Sequence, residues 1–228
     1  MIGCLCIHGF TGAPYEVAPL ANYIKEHTDW EIVVPTLPGH GERQSLKGIV
    51  FQKWINHAEE ELKNLLEKCE VVYIIGFSMG GMIASELAVK YPVAKLVLLS
   101  AAAYYLNPRQ IFLDIKGLLR ESLQGTRITQ NPLFIHYKQK ISSTPIAAAR
   151  QFQKLVATVR PHLKEVKVPT FIAQGEDDGI VPVRSADYLY KHITSEQKHK
   201  MIIKRSKHLI CHCDESEKLF KEVLQFLS

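Results

Sequence analysis

Five apolar residues, Val71-Val72-Tyr73-Ile74-Ile75, run directly into Gly76-Phe77-Ser78-Met79-Gly80-Gly81, and a helical pattern through Ile83, Leu87 and Ala88 follows at once. A chain with this stretch must turn sharply from strand to helix at Ser78. Glycine two residues either side of the serine removes side chains where so tight a turn would clash, and it admits unusual dihedrals. The turn holds a hydroxyl clear of the sheet, and the N-terminus of the following helix favours a developing negative charge beside it. From 13 Gly and 12 Ser in 228 residues, about 0.04 Gly-x-Ser-x-Gly matches are expected by composition. The pattern therefore reads as a nucleophile elbow.

The rest of the chain supplies the sheet such an elbow needs. Residues 2–7 read as a buried strand running into His8-Gly9-Phe10-Thr11-Gly12, and Pro14 suits the first turn of a helix with Val17, Leu20, Ala21 and Ile24 on one face. Residues 31–37 read as a second strand, closed by Pro38-Gly39-His40-Gly41. An amphipathic helix follows, with Trp54, Ala58, Leu62 and Leu65 inward and Glu59, Glu60, Lys63 and Lys68 outward. Residues 95–100 form another apolar strand. Continuous apolar strands alternating with helices predict an α/β fold: a mostly parallel central sheet flanked by helices on both faces.

Between 102 and 145 this rhythm breaks. Short helical pieces around 111–119 and 132–140 carry Tyr104, Tyr105, Phe112, Leu118, Phe134 and Tyr137, which predicts a small helical cap inserted into one domain spanning 1–228. The alternation then resumes with a helix over 146–163, a strand over 168–173, a helix over 185–192 and a strand over 200–204. A closing helix, opened by Asp214 or Glu215, turns Leu219, Val223 and Phe226 inward.

Composition narrows the function classes. The net charge of +5 is spread along the chain, and its densest cluster (Lys198, Lys200, Lys204, Arg205 and Lys207) falls on a predicted strand. That reads as a solvated sheet edge, so no nucleic-acid partner is expected. Five cysteines, with Cys4 and Cys6 on one face of an apolar strand, imply no disulfide framework and fit a reducing compartment. Cys211-His212-Cys213 has no second ligand cluster at metal-site spacing, so neither metal nor cofactor is expected. The first apolar run ends by His8, too short for a signal peptide, and residues 96–106 fall short of spanning length. A cytoplasmic protein without stable membrane insertion is the expectation; nothing in the sequence specifies an oligomeric state.

Every special loop named above follows the C-terminal end of a predicted parallel strand, the edge where ligands bind in open α/β sheets. A serine hydroxyl needs a base to take its proton, and histidine titrates near neutrality. His208, after the last strand and downstream of an acidic turn, fits the order Ser…Asp…His. His8 and His40 lie on the same edge but not behind an acid, while His57, His136, His162 and His192 fall on predicted helices. The carboxylate orienting the base is one of Glu176, Asp177 and Asp178, all in one turn; Asp214 is accounted for by a helix N-cap or first-turn role. Backbone donors for an oxyanion are expected at Met79, after the nucleophile, and at Phe10, in the loop after the first strand, where Gly9 permits close approach.

On these residues the chain resembles the α/β-hydrolases, and specifically the bacterial carboxylesterases related to monoacylglycerol lipases. The resemblance rests on His8 through Gly12, Pro38 through Gly41, Gly76 through Gly81, Pro169 through Val181, Ser206 through Asp214, and the stretch 143–163. The family pattern Gly-x-x-Asp-x-x-Val-Pro, matched by Gly175, Asp178, Val181 and Pro182, implies Asp178 as the acid. The resemblance further implies a catalytic set of Ser78, Asp178 and His208, an oxyanion hole from Phe10 and Met79 amides, and substrate contacts from Gly9, Phe10, Met79 and Ile180. The implied activity is a serine carboxylesterase acting on a small-molecule ester with a hydrophobic acyl or alcohol group. Monoacylglycerol lipase and thioesterase are the enzymatic alternatives, and a ligand-binding sensor on a hydrolase scaffold is the non-enzymatic one. Two departures stand out: Lys207 where many relatives have Gly before the histidine, and no N-terminal hairpin of the kind common in larger hydrolases.

Overall fold

A computed structural model describes residues 1–41, 45–104 and 144–228. Strands β1 (Ile2–Ile7), β2 (Glu31–Val33), β3 (Val71–Phe77), β4 (Lys95–Leu99), β5 (Thr170–Gly175) and β6 (Lys198–Ile203) form one sheet in the order β2-β1-β3-β4-β5-β6. Every pairing is parallel. Strands β1, β3 and β4 are buried along almost their whole length, which is why they read as unbroken apolar runs in the sequence.

Side chains alternate between two faces along each strand, so the core divides in two. On one face Leu5, Ile74, Leu96, Leu98 and Ile172 pack under helices α2 (Phe51–Lys68), α3 (Met79–Lys90), α4 (Ile146–Val159) and α5 (Arg184–His192). On the other, Cys4, Cys6, Ile75, Val97 and Leu99 pack under α1 (Ala18–His27) and α6 (Ser216–Leu227). Cys4 and Cys6 lie side by side in this second core, and all five cysteines are free.

Several boundaries differ from the sequence expectation. The second strand stops at Val33 rather than Leu37: β2 is an edge strand paired only with β1, and Pro35 has no N–H to continue the ladder. The last strand starts earlier, at Lys198, and ends at Ile203 in register with Gly175, before Arg205 turns back at φ 55°. Pro14 opens a separate 3₁₀ turn, Pro14–Glu16, ahead of α1. Helix α4 gives way at Val159 to a 3₁₀ segment, Arg160–Glu165, containing Pro161. Glu215, not Asp214, occupies the cap position of α6, and no side-chain cap bond forms there. The basic cluster lies on and beside edge strand β6: Lys198 donates to the carbonyls of Tyr190 and Ile193, and Lys200 pairs with Asp187 at 2.6 Å.

The expected cap helices around 111–119 and 132–140 lie outside the described residues. At the segment's N-terminal root, the Tyr104 N–H donates to Ser185 Oγ at 3.0 Å, and the Arg160 guanidinium lies 4.6 Å from the ring centroids of both Tyr104 and Tyr188. Among the described residues no helix is long and apolar enough to cross a membrane.

The chain leaves β1 for β2 on one side and returns to β3 on the other. The carboxyl ends of β1 and β3 therefore bound a topological switch point, where a crevice opens. The loops carrying Gly9-Phe10 and Ser78 are the two that face each other there.

Candidate active site

Strand β3 delivers Ser78 into a backbone geometry that only a tight elbow produces. Ser78 has φ 54° and ψ −116°, a region that costs a non-glycine residue about 1–3 kcal/mol. The surrounding backbone holds it there: Ser78 N–H donates to Leu99 O at 2.9 Å, and Ser78 O accepts from the amides of Gly81 and Ala102. A Cβ on Gly80 would fall on the carbonyl oxygen of Ile7, and one on Gly76 on that of Gly80. The glycines are thus what lets α3 begin flush against β1.

His208, in the loop after β6, bridges to the serine. Its Nδ1 lies 2.7 Å from Asp178 Oδ2 and its Nε2 lies 3.1 Å from Ser78 Oγ. A carboxylate only accepts, so the proton sits on Nδ1 and Nε2 is left to accept from the Ser78 hydroxyl. Asp178 is itself fixed. Its Oδ1 accepts from the Ile180 and Val181 amides, each at 2.9 Å, and Oδ2 accepts from Gln174 Nε2 at 2.8 Å. Burial by itself pushes the His208 imidazole down, but the charge of Asp178, its hydrogen bond and the charge of Glu16 outweigh that; the net effect holds His208 above the ordinary histidine value.

The loop after β1 forms the opposite wall. His8 is buried and neutral: Nδ1–H donates to Gly9 O at 2.9 Å, and Nε2 accepts from the Leu37 amide at 3.1 Å. It ties the β1 loop to the β2 loop. Gly9 approaches the elbow so closely that a Cβ there would meet Ser78 Cβ at 3.1 Å. Half-buried Phe10 stacks on Phe152, with centroids 5.2 Å apart, and meets Trp54 edge-on at 5.7 Å, which seats its ring against the first core. Met79 is the first residue of α3, so its N–H has no acceptor within the helix.

The structure therefore brings Ser78, Asp178, His208, Gly9, Phe10 and Met79 to one crevice. Ile180 lies in the loop after β5 with its amide on Asp178, and its side chain packs against the first core. Glu176 and Asp177, the neighbouring carboxylates, are exposed. Cys211, His212 and Cys213 are occupied elsewhere: Cys211 is buried, His212 Nε2 lies 2.8 Å from Tyr15 O, and Cys213 bonds Ile210 O. Among the described residues no group of three or more His, Cys, Asp or Glu could hold a metal ion.

Two residues of the site fall outside the sequence expectations. Gln174, near the end of apolar β5, is the donor behind Asp178; a lone amide in such a strand was the available cue. Glu16 is buried beside the β1 loop and accepts from the Gly9 amide at 2.8 Å. It falls in a turn that local pattern marks as exposed.

Comparison with known proteins places the chain in a family. The family model described as Hydrolase_4, "Serine aminopeptidase, S33", matches residues 3–215. The chain belongs to that family. A thermostable monoacylglycerol lipase of Bacillus sp. (strain H-257) is 25% identical over 244 residues, covering 100% of this chain and 90% of the relative. A carboxylesterase of Bacillus subtilis (strain 168) is 25% identical over 230 residues, covering 98% and 91%. The solved structure of a metagenome-derived lipolytic enzyme of the LipS and LipT pair superposes with a TM-score of 0.80 at 23% identity, covering 99% of this chain and 93% of that one. That likeness extends the shared α/β-hydrolase fold over nearly the whole chain.

Proposed function

We propose that this protein is a serine carboxylesterase with Ser78 as nucleophile, His208 as base and then acid, and Asp178 as the orienting carboxylate. The observation that carries the reading is the unbroken hydrogen-bond chain Ser78–His208–Asp178 ending on a strained elbow. His208 Nε2 takes the hydroxyl proton as Ser78 Oγ attacks the ester carbonyl, and Asp178 stabilises the imidazolium that forms. The carbonyl oxygen becomes an oxyanion between the Phe10 and Met79 amides, donors of a kind worth about 10²–10³ in rate each. His208 then protonates the leaving alcohol. Water, activated by the same imidazole, attacks the acyl-enzyme and frees Ser78.

Half-buried Phe10, in the loop beside the elbow and seated on the apolar core, supports a substrate with a hydrophobic acyl or alcohol group. The monoacylglycerol lipase among the relatives favours a long-chain monoacylglycerol as the second reading. Ser78→Ala is expected to abolish hydrolysis of p-nitrophenyl butyrate, and turnover at the wild-type rate in that variant would defeat the assignment. A panel of esters of rising acyl length, monoacylglycerols, thioesters and peptide p-nitroanilides separates the classes. Highest kcat/KM on short esters supports the carboxylesterase; a sharp preference for long-chain monoacylglycerol replaces it with the lipase, and one for peptide amides with a peptidase.

A further inference from the structure

The proposed mechanism leaves one buried acid unused. Glu16 is 1% exposed, in the 3₁₀ turn that follows the β1 loop. Taking a carboxylate out of water is unfavourable unless hydrogen bonds compensate, so its place beside the elbow calls for a reason.

The β1 loop is wrapped around this carboxylate. Gly9 N–H donates to Glu16 Oε2 at 2.8 Å, and a Cβ on Gly12 would fall within the carboxylate itself. On the far side, Gly9 O accepts from His8 Nδ1–H at 2.9 Å and from the Gly12 amide at 3.3 Å. Both polar groups of Gly9 are therefore tied. The Gly9 carbonyl and the Phe10 N–H share one planar trans peptide and point in opposite directions. Fixing that carbonyl on one side turns the Phe10 N–H to the other. Thr11, the next residue, sits at φ 62°, a conformation that persists only where its surroundings over-determine it.

Resting on the esterase reading, we propose that Glu16 is a positioning residue of the active site: its carboxylate anchors the Gly9 amide, so that Phe10 N–H stays aimed at the oxyanion. Among the described residues, the groups in contact with His208 are Asp178 from the β5 loop and the Ser78 hydroxyl and Phe77 ring from the elbow, while the charge of Glu16 acts on it from the β1–α1 connection; Lys207, its chain neighbour, is exposed. Tyr15 and Cys211 also feel the Glu16 charge, and burial pushes both well above their ordinary values, so they stay neutral at working pH. The charge of Glu16 raises His208 in the same sense as Asp178 does.

The test compares Glu16→Gln, which keeps an acceptor for Gly9 and removes the charge, with Glu16→Ala, which removes both. Steady-state hydrolysis of p-nitrophenyl butyrate is measured from pH 5 to 9, with circular dichroism as the folding control. For Glu16→Ala, kcat is expected to fall by about 10- to 100-fold with KM within about threefold, the scale of a misplaced catalytic donor. For Glu16→Gln, kcat is expected to stay within about threefold of wild type while the acid limb of kcat/KM moves to lower pH. Wild-type kcat in Glu16→Ala, or a loss in Glu16→Gln equal to that in Glu16→Ala, overturns the proposal. If Glu16→Ala does not fold, Glu16→Asp decides, since it draws the acceptor back from the Gly9 amide: wild-type kcat overturns the proposal, and a loss of about fivefold or more with KM little changed sustains it. Ser78→Ala runs alongside. Turnover surviving in that control defeats the esterase reading itself, whereas a dead Ser78→Ala beside a fully active Glu16→Ala defeats only the role given to Glu16.

Discussion

Replacing Asp178 by asparagine changes one atom in the site and should disable it through proton bookkeeping alone. Asp178 accepts four hydrogen bonds: from the Ile180 and Val181 amides on Oδ1, and from Gln174 Nε2 and His208 Nδ1 on Oδ2. Asparagine has one acceptor oxygen. If it keeps the two loop amides, its NH₂ faces two donors. Gln174 can relieve its half by turning its amide so that Oε1 faces the new NH₂; the turn gives up the 3.0 Å bond to Val181 O and leaves Nε2 buried where Oε1 has no partner among the described residues. That exchange costs about 1–3 kcal/mol, or about 2–12 °C of Tm in a chain of this size. His208 can relieve the other half only by moving its proton to Nε2, leaving Nδ1 to accept. The nitrogen facing Ser78 then carries a proton and cannot take another. On the proposed mechanism Asp178→Asn should lower kcat about 10⁴-fold, equivalent to about 5.5 kcal/mol in barrier, with KM changed little. Initial rates on p-nitrophenyl butyrate, with a thermal melt to verify the fold, measure both quantities. A loss smaller than about tenfold in a folded variant refutes the tautomer argument.

Two further outcomes follow from the same geometry. The neutral imidazole is the base and its pKa is held above the ordinary histidine value, so hydrolysis should decline as pH falls through a midpoint above about 6.5; a kcat/KM profile with its acid midpoint below about 6 contradicts this. Gly80→Ala places a methyl on the Ile7 carbonyl and forces α3 away from β1. Overpacking of this kind costs about 1–3 kcal/mol, so a Tm loss of about 2–12 °C together with a lower kcat is expected, and an unchanged melt would show that the elbow does not depend on this contact.

How far the fold was readable depended on where each strand sits. Strands β1, β3 and β4 are interior, covered on both faces, and announce themselves as apolar runs. β2 and β6 are edges, where Pro35 cuts one short and a solvated face lets Lys198 and Lys200 join the other. The elbow was legible because Gly76, Ser78 and Gly80 satisfy a local requirement. Choosing Asp178 over Glu176 and Asp177 needed more than spacing, since all three occupy one turn and only tertiary packing buries the last. His8 and His208 lie on the same sheet edge; what separates them is that His8 Nε2 already accepts from the Leu37 amide, 29 residues away. Glu16 and Gln174 were silent for the same reason. A buried polar side chain is defined by its partners, and those partners come from other parts of the chain.

If Ser78 is an activated nucleophile, it reacts covalently with an organophosphorus ester at the expense of every other serine. The intact protein is treated with a fluorophosphonate probe, its mass adduct is counted, and the modified residue is located by peptide mapping. One adduct per chain is expected, on Ser78, with labelling lost in Ser78→Ala and slowed in Asp178→Asn. An unlabelled protein, or an adduct on any other residue, would contradict it.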